Sequence, residues 1–188
     1  MRTYGDDHVN QQLYNTKNII NTSCDYYVEI MNIVFDYDDF HSDNIFFLER
    51  KRNVVIDGFF SKIIYSDEFF TMNGIFFAIP LHVQKSGTKD AKYIHFYPHD
   101  VKNIYNITKL SEIEHAIINY YKKTQGVMEK RNNLVLTNQL YNGCFKIYKE
   151  NSFPSGQPKK YMLKISGLWE SANEVGITYK FMEMAQVV

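Results

Sequence analysis

The sequence predicts a mainly β fold of the α+β class with one inserted helix. Aromatic residues make up 16% of the chain, including 15 Tyr and 14 Phe, and aromatic side chains favour strands. Period-two alternation runs on both sides of Ser171-Ala172-Asn173-Glu174. Before it, Leu163 and Ile165 oppose Lys164 and Ser166; after it, Ile177, Tyr179 and Phe181 oppose Thr178 and Lys180. That pattern describes a β-hairpin with an apolar inner face and a lysine-bearing outer face. Helical spacing is strong in one place, Ser111 to Thr124, where Ile113, Ala116, Ile117, Tyr120 and Tyr121 recur on one side.

Residues 1–22 are polar and rich in Asn and Gln, and read as a peripheral arm ahead of a single domain over 23–188. Residues 25–37 read as a long strand. Short strands follow at Ile45–Glu49 and Val54–Asp57, on either side of Arg50-Lys51-Arg52-Asn53. Phe59–Tyr65 and Phe69–Val83 form a further pair across Ser66-Asp67-Glu68, the second bending at Asn73-Gly74 and losing regular pairing at Pro80. Gln84–Asp90 is a basic loop, and Lys92–Tyr97 is a short strand. Ser111 and Glu114 form the S-x-x-E capping box that starts the helix; Lys122, Lys123 and Gly126 mark its end. Strands near Asn133–Leu140 and Gly143–Lys149, a loop over 150–159 and the hairpin complete the chain. This order suits an OB-like Greek-key barrel, or a partly open barrel, with the helix near 111–124 inserted.

Composition narrows the function classes. No window approaches the apolar length of a membrane span, and Met1–Asp7 has no apolar signal-peptide core, so a soluble intracellular protein without a membrane partner is expected. Cys24 and Cys144 form neither a C-x-x-C pair nor a disulfide framework, which suits a reducing compartment. Net charge is zero but uneven: residues 1–100 carry −5 and residues 101–188 carry +5. The basic half can meet a polyanion.

The lysines carry the leading site hypothesis. If Phe145 and Ile147 face the core, Lys146 and Tyr148 face outward, beside Lys164 and Lys180 of the hairpin. Flanking loops add Lys85, Lys89, Lys159 and Lys160, and Trp169 lies close by. Lysines neutralise phosphates and flat rings stack bases, so this face can hold an unpaired nucleic-acid strand. An ordinary solvated sheet face carries lysines too, and a lone Trp beside Leu168 also suits a core.

Two other constellations stand beside it. Asp36, Asp38, Asp39 and Asp43 are clustered acids, with Asp36 and Asp38 on one strand face, and such a set can hold Mg²⁺ for phosphoryl chemistry. A solvated strand end has the same composition. His95, His99 and Asp100 are potential zinc or iron ligands, though Pro98 opposes a helical presentation and a turn with incidental histidines fits as well. There is no nucleophile elbow, phosphate loop or G-x-G-x-x-G motif, and Cys144 on a strand beside Phe145 reads as buried.

Two stretches, Val55-Ile56-Asp57-Gly58-Phe59-Phe60 through Met72-Asn73-Gly74-Ile75 and Leu163-Lys164-Ile165-Ser166-Gly167-Leu168-Trp169-Glu170 through Gly176-Ile177-Thr178-Tyr179-Lys180-Phe181, resemble proteins of nucleocytoplasmic large DNA viruses. More weakly, they are similar to a phage-like group of OB-fold single-stranded-DNA-binding proteins among them. The resemblance implies coating of unpaired DNA during replication or repair. Phage-type members end in an acidic tail closed by an aromatic residue that recruits replication partners; here Phe181 to Val188 contain one acid, Glu183.

The resulting expectation is a non-catalytic, cofactor-free protein that binds single-stranded DNA or RNA, with DNA taken first and replication proteins as further partners. It would act in the cytoplasm or nucleus of an infected host cell. Its rivals are a viral structural or protein-interaction domain and a metal-dependent phosphoryl-transfer enzyme built on the acidic cluster.

Overall fold

The C-terminal hairpin is the spine of the sheet. The computed structural model describes residues 13–17, 29–83, 93–147 and 160–184. In chain order its elements are β1 (Leu13–Lys17), β2 (Glu29–Ile33), β3 (Ile45–Phe47), β4 (Lys51–Arg52), β5 (Phe59–Ser66), β6 (Thr71–Asn73), β7 (Ile75–Ile79) and β8 (Tyr93–His95). After them come α1 (Val101–Gln125), β9 (Arg131–Asn133), α2 (Val135–Tyr141), β10 (Cys144–Lys146), β11 (Lys160–Glu170) and β12 (Glu174–Met184), with short 3₁₀ turns at Tyr37–Asp39 and Ser42–Asn44.

β11 and β12 pair antiparallel over their full length, with Leu163 opposite Phe181 and Ile165 opposite Tyr179. The other edge of β11 is shared: β7 takes Tyr161–Ile165 and β5 takes Gly167–Glu170. The register slips between Ile165 and Gly167, where one neighbour gives way to the other. β3 and β4 line the far edge of β5, and β9 runs parallel to the start of β12. Gly74 turns the chain from β6 into β7 at φ +92, and a Cβ there would come within 2.7 Å of the Ile165 carbonyl oxygen. The bend expected at Asn73-Gly74 is therefore a glycine-only position. Together these strands make one curled, half-barrel sheet accompanied by two helices, a mainly β, α+β arrangement.

The inner face holds the main core. Ile107, Leu110, Ile117 and Tyr121 of α1 share one buried cluster with Ile63, Phe77, Leu163, Ile165 and Phe181 of the sheet. Phe145 stacks on Phe181 with ring centroids 4.4 Å apart. Each such side chain contributes about 1.5–3 kcal/mol by leaving water.

The helical region departs from the expected pattern. α1 begins at Val101, ten residues before Ser111, and its N-cap is Asp100, whose side chain accepts from the Lys102 N–H. The early turns hide in sequence because they bury Asn103 and Asn106 where aliphatics are usual. Asn103 accepts from the His82 N–H and donates to the carbonyls of His82 and Tyr97, so its burial is compensated. Glu114 is fully buried in mid-helix and does not cap α1. It accepts the N–H groups of Leu136 at 3.0 Å and Thr137 at 2.8 Å, and so caps α2 from outside. α2 occupies most of the span expected as a strand, because Leu136 and Leu140 bury one helical face. Between β3 and β5 the paired residues are Lys51 and Arg52; the expected strand at Val54–Asp57 is a turn.

Candidate functional site

Register places the outward residues in rows across the sheet. The first row runs Lys51, Phe60, Trp169, Gly176 over β4, β5, β11 and β12. The second sets Lys62 against Gly167 and Thr178. A third sets Phe76, Lys164 and Lys180 side by side on β7, β11 and β12. The parallel bridge of Ile147 to Phe181 puts Lys146 and Lys180, one residue earlier in each strand, on a common side. Tyr93, 53% exposed, is the cross-strand partner of Lys146. Lysines and rings therefore share one face. The acid at its margin, Glu174, is held by Arg131 and Asn133 at 2.9 and 3.0 Å.

Two rings lie down on this face because glycines make room for them. A Cβ built on Gly176 would come 2.5 Å from the Trp169 ring, and one on Gly167 would come 2.5 Å from the Phe60 ring. No other residue type permits such approach, which is why glycine sits in mid-strand at both positions. Both Phe60 and Trp169 are half-buried. Lys51 is exposed and Lys62 half-buried, and neither has an ion-pair partner among the described residues. Phe46, 56% exposed, extends the apolar surface opposite Ile64.

The rest of the face is less open than a lysine-bearing outer surface suggests. Val34, Phe76, Met162, Met182 and Met184 form a second buried cluster on the same side. Lys164 lies over it with Nζ 4.9 Å from the Phe76 ring centroid, a cation–π contact. Lysine stems cover apolar surface while their heads stay in water. The accessible part of the face is therefore centred on Phe60, Trp169, Lys51 and Lys62.

Of the residues singled out from sequence, Lys164, Lys180 and Trp169 share the hairpin's outer face, Lys160 stands exposed at the start of β11, and Lys146 joins through β10. Phe145 and Ile147 are in the core, as alternation predicts. Tyr148, Lys85, Lys89 and Lys159 lie outside the described residues. Sequence reasoning missed Lys51, Phe60, Lys62 and Phe76. Glycines at 167 and 176, inside strongly alternating strands, were the available signal of close approach.

The acids and histidines do not converge on one site among the described residues. Asp36, Asp38, Asp39 and Asp43 do not share a strand face, because 3₁₀ turns break that segment. Asp38 pairs with Lys109 at 3.0 Å. Asp100 accepts from the Lys102 N–H and sits 3.1 Å from His82, contacts that hold its carboxyl below the usual carboxylate range. His95 Nε2 lies 4.0 Å from the Cys144 sulfur, and burial pushes that thiol up, away from thiolate character. Among the described residues no three His, Cys, Asp or Glu side chains are grouped to hold a metal, and no helix is long and apolar enough to cross a membrane.

One charged cluster is buried. Glu170, 1% exposed, accepts from Arg50 at 2.9 Å and Lys130 at 2.6 Å on one oxygen and from the Tyr121 hydroxyl at 3.0 Å on the other. Burial raises the Tyr121 phenol above its ordinary range. These groups tie β11 to α1, to the segment before β4 and to the turn before β9, and so fix the end of the sheet that carries Phe60 and Trp169. The chain matches no protein-family model, no curated protein and no solved structure.

Proposed function

We propose that this chain binds single-stranded nucleic acid, DNA foremost, across the outer face of the half-barrel, without catalysis and in viral replication or repair. The observation that carries the reading is the pair of rings bedded on Gly167 and Gly176, with Lys51 and Lys62 as neighbours of Phe60. A flat ring with one supported side offers a base a stacking surface worth about 1–3 kcal/mol, and every base has a π-face, so sequence preference is weak. Lysines along the rows neutralise the phosphates between stacked bases. In this reading the curled sheet is a partly open, OB-like barrel, whose face is a common place for unpaired strands. The viral setting rests on the resemblance of the two segments described above.

Fluorescence anisotropy of an unstructured labelled oligonucleotide, at several salt concentrations, tests the proposal. Affinity should fall by about 0.7 log unit per lysine–phosphate contact for each decade of salt. Lys51→Ala and Lys62→Ala should each flatten that slope by about one contact. A duplex of equal length should bind less well, because its bases cannot reach the rings. Tighter binding to duplex, or no binding to either at low salt, defeats the reading. A protein-interaction domain of a viral assembly is the second reading, favoured by the exposure of Phe46 and Leu48, and it predicts no oligonucleotide binding.

A further inference from the structure

Two valines stand almost wholly in solvent at the tip of the β4–β5 hairpin: Val54 is 99% exposed and Val55 86%. The tip has defined internal bonds. The Asn53 N–H donates to the Gly58 carbonyl at 2.9 Å, and Asn53 Oδ1 accepts from the Val55 N–H at 2.9 Å. Gly58 lies so close to Glu170 that a Cβ would come 2.0 Å from its carbonyl oxygen, so the hairpin is seated against the start of the β11–β12 turn. Lys51 and Arg52 lead into the tip, both exposed and without ion-pair partners among the described residues. Lys51 is also the cross-strand neighbour of Phe60, the nearer of the two bedded rings.

We propose that this hairpin is a wedge that meets the end of a duplex where it opens into a single strand. The proposal rests on the reading of the outer face as a single-strand site. A strand lying over Trp169 and Phe60 leaves the sheet past Lys51 and reaches the tip. There the two isopropyl groups cover the terminal base pair, while Lys51 and Arg52 meet the flanking phosphates. Apolar side chains set against a base step, with cations on the adjoining backbone, are an established way to hold bases apart. Lys51 and Arg52 outnumber the one exposed acid of the tip, Asp57, so the hairpin keeps a net positive charge toward a nucleic-acid end, and its continuity with the ring row favours that end over an anionic lipid surface.

The test compares three labelled DNAs: an unpaired tail, a fork of duplex with that tail, and a blunt duplex. The full chain and the double variant V54S/V55S are both titrated. We expect the wild type to hold the fork about tenfold more tightly than the tail alone, within what burial of two valines can supply. The double variant should keep its tail affinity and lose the preference. Its exposed sites carry no folding penalty, so the comparison stays clean. 2-Aminopurine in the terminal base pair should brighten with the wild type and not with the variant. Equal affinity for fork and tail, or an unaltered preference in V54S/V55S, overturns the wedge while leaving the single-strand reading intact. Binding to phosphatidylserine vesicles that the double variant loses, without any fork preference, overturns it in favour of a membrane role. Failure to bind either tail or fork overturns both readings.

Discussion

Filling the bed beneath Trp169 should lift the ring and expose what it does. In Gly176→Ala the new Cβ would start 2.5 Å from Cζ2, 2.7 Å from Cε2 and 2.9 Å from Nε1 of the indole, where ordinary contact begins near 3.4 Å. The ring has to rise or tilt by about 1 Å, and overpacking of this kind costs about 1–3 kcal/mol. Removing a strand glycine recovers about 0.5–1 kcal/mol through the unfolded chain. The net expectation is a loss of up to about 2.5 kcal/mol, or up to roughly 10 °C in Tm for a chain of this length. Trp169 is the one tryptophan, so its emission reports the displacement directly. Urea unfolding followed at that wavelength gives the stability, and oligonucleotide anisotropy gives the affinity. A displaced platform should weaken single-strand binding by about 1 kcal/mol or more, while leaving the salt slope unchanged because no lysine is lost. A variant as stable as the wild type, with unaltered emission and unaltered affinity, would refute the bedded-ring argument.

Phe181→Ala should destabilise the fold by about 3–5 kcal/mol in urea, because Phe181 is 2% exposed and stacks on Phe145. Glu170→Gln should cost about 3 kcal/mol by leaving Arg50 and Lys130 without their shared carboxylate; a loss below about 1 kcal/mol would show the cluster to be solvated. Asp38→Asn should move stability by less than about 1 kcal/mol, as expected for an exposed pair with Lys109, and should leave oligonucleotide binding intact or slightly stronger. Burial pushes the Tyr161 phenol up to about 12, with the Glu183 charge adding to the shift. The unfolded chain therefore releases that proton first, near pH 10, and stability should fall as pH rises from about 10 towards 12; ultraviolet titration of phenolate alongside thermal melts checks the window.

How much was legible follows from where one signal dominated. The C-terminal hairpin announced itself by alternation, and Leu163, Ile165, Ile177 and Phe181 face the core as read; the slip between Ile165 and Gly167, which turns Leu168 inward and Trp169 outward, was not legible. β7 did not: Ile75, Phe76, Phe77 and Ile79 are all buried, so a strand covered on both faces reads as a plain apolar run and conceals that Phe76 faces outward. Phe59-Phe60 hid the second ring in the same way, since adjacent aromatics give no parity. The first turns of α1 were lost to buried Asn103, whose bonds to His82 and Tyr97 overrode propensity, and to buried Asn106, which donates to the Lys102 carbonyl one turn earlier. Ser111 and Glu114 matched a local capping motif while serving α2, a contact that no local window contains. Lys146, Lys164 and Lys180 were visible from alternation, but Lys51 and Lys62 were not, and the glycines that bed the rings acquire meaning only when strands are paired.

The central claim is that an unpaired strand stacks on the outer face, and Trp169 can report it without a label. The measurement is a titration of the full chain with oligothymidylate at low salt, following indole emission, with anisotropy of a labelled copy of the same oligonucleotide run in parallel. The account predicts that emission is quenched in step with binding, and that both signals shift together to weaker affinity as salt rises. Binding by anisotropy with no change in Trp169 emission, or no binding at all, would contradict it.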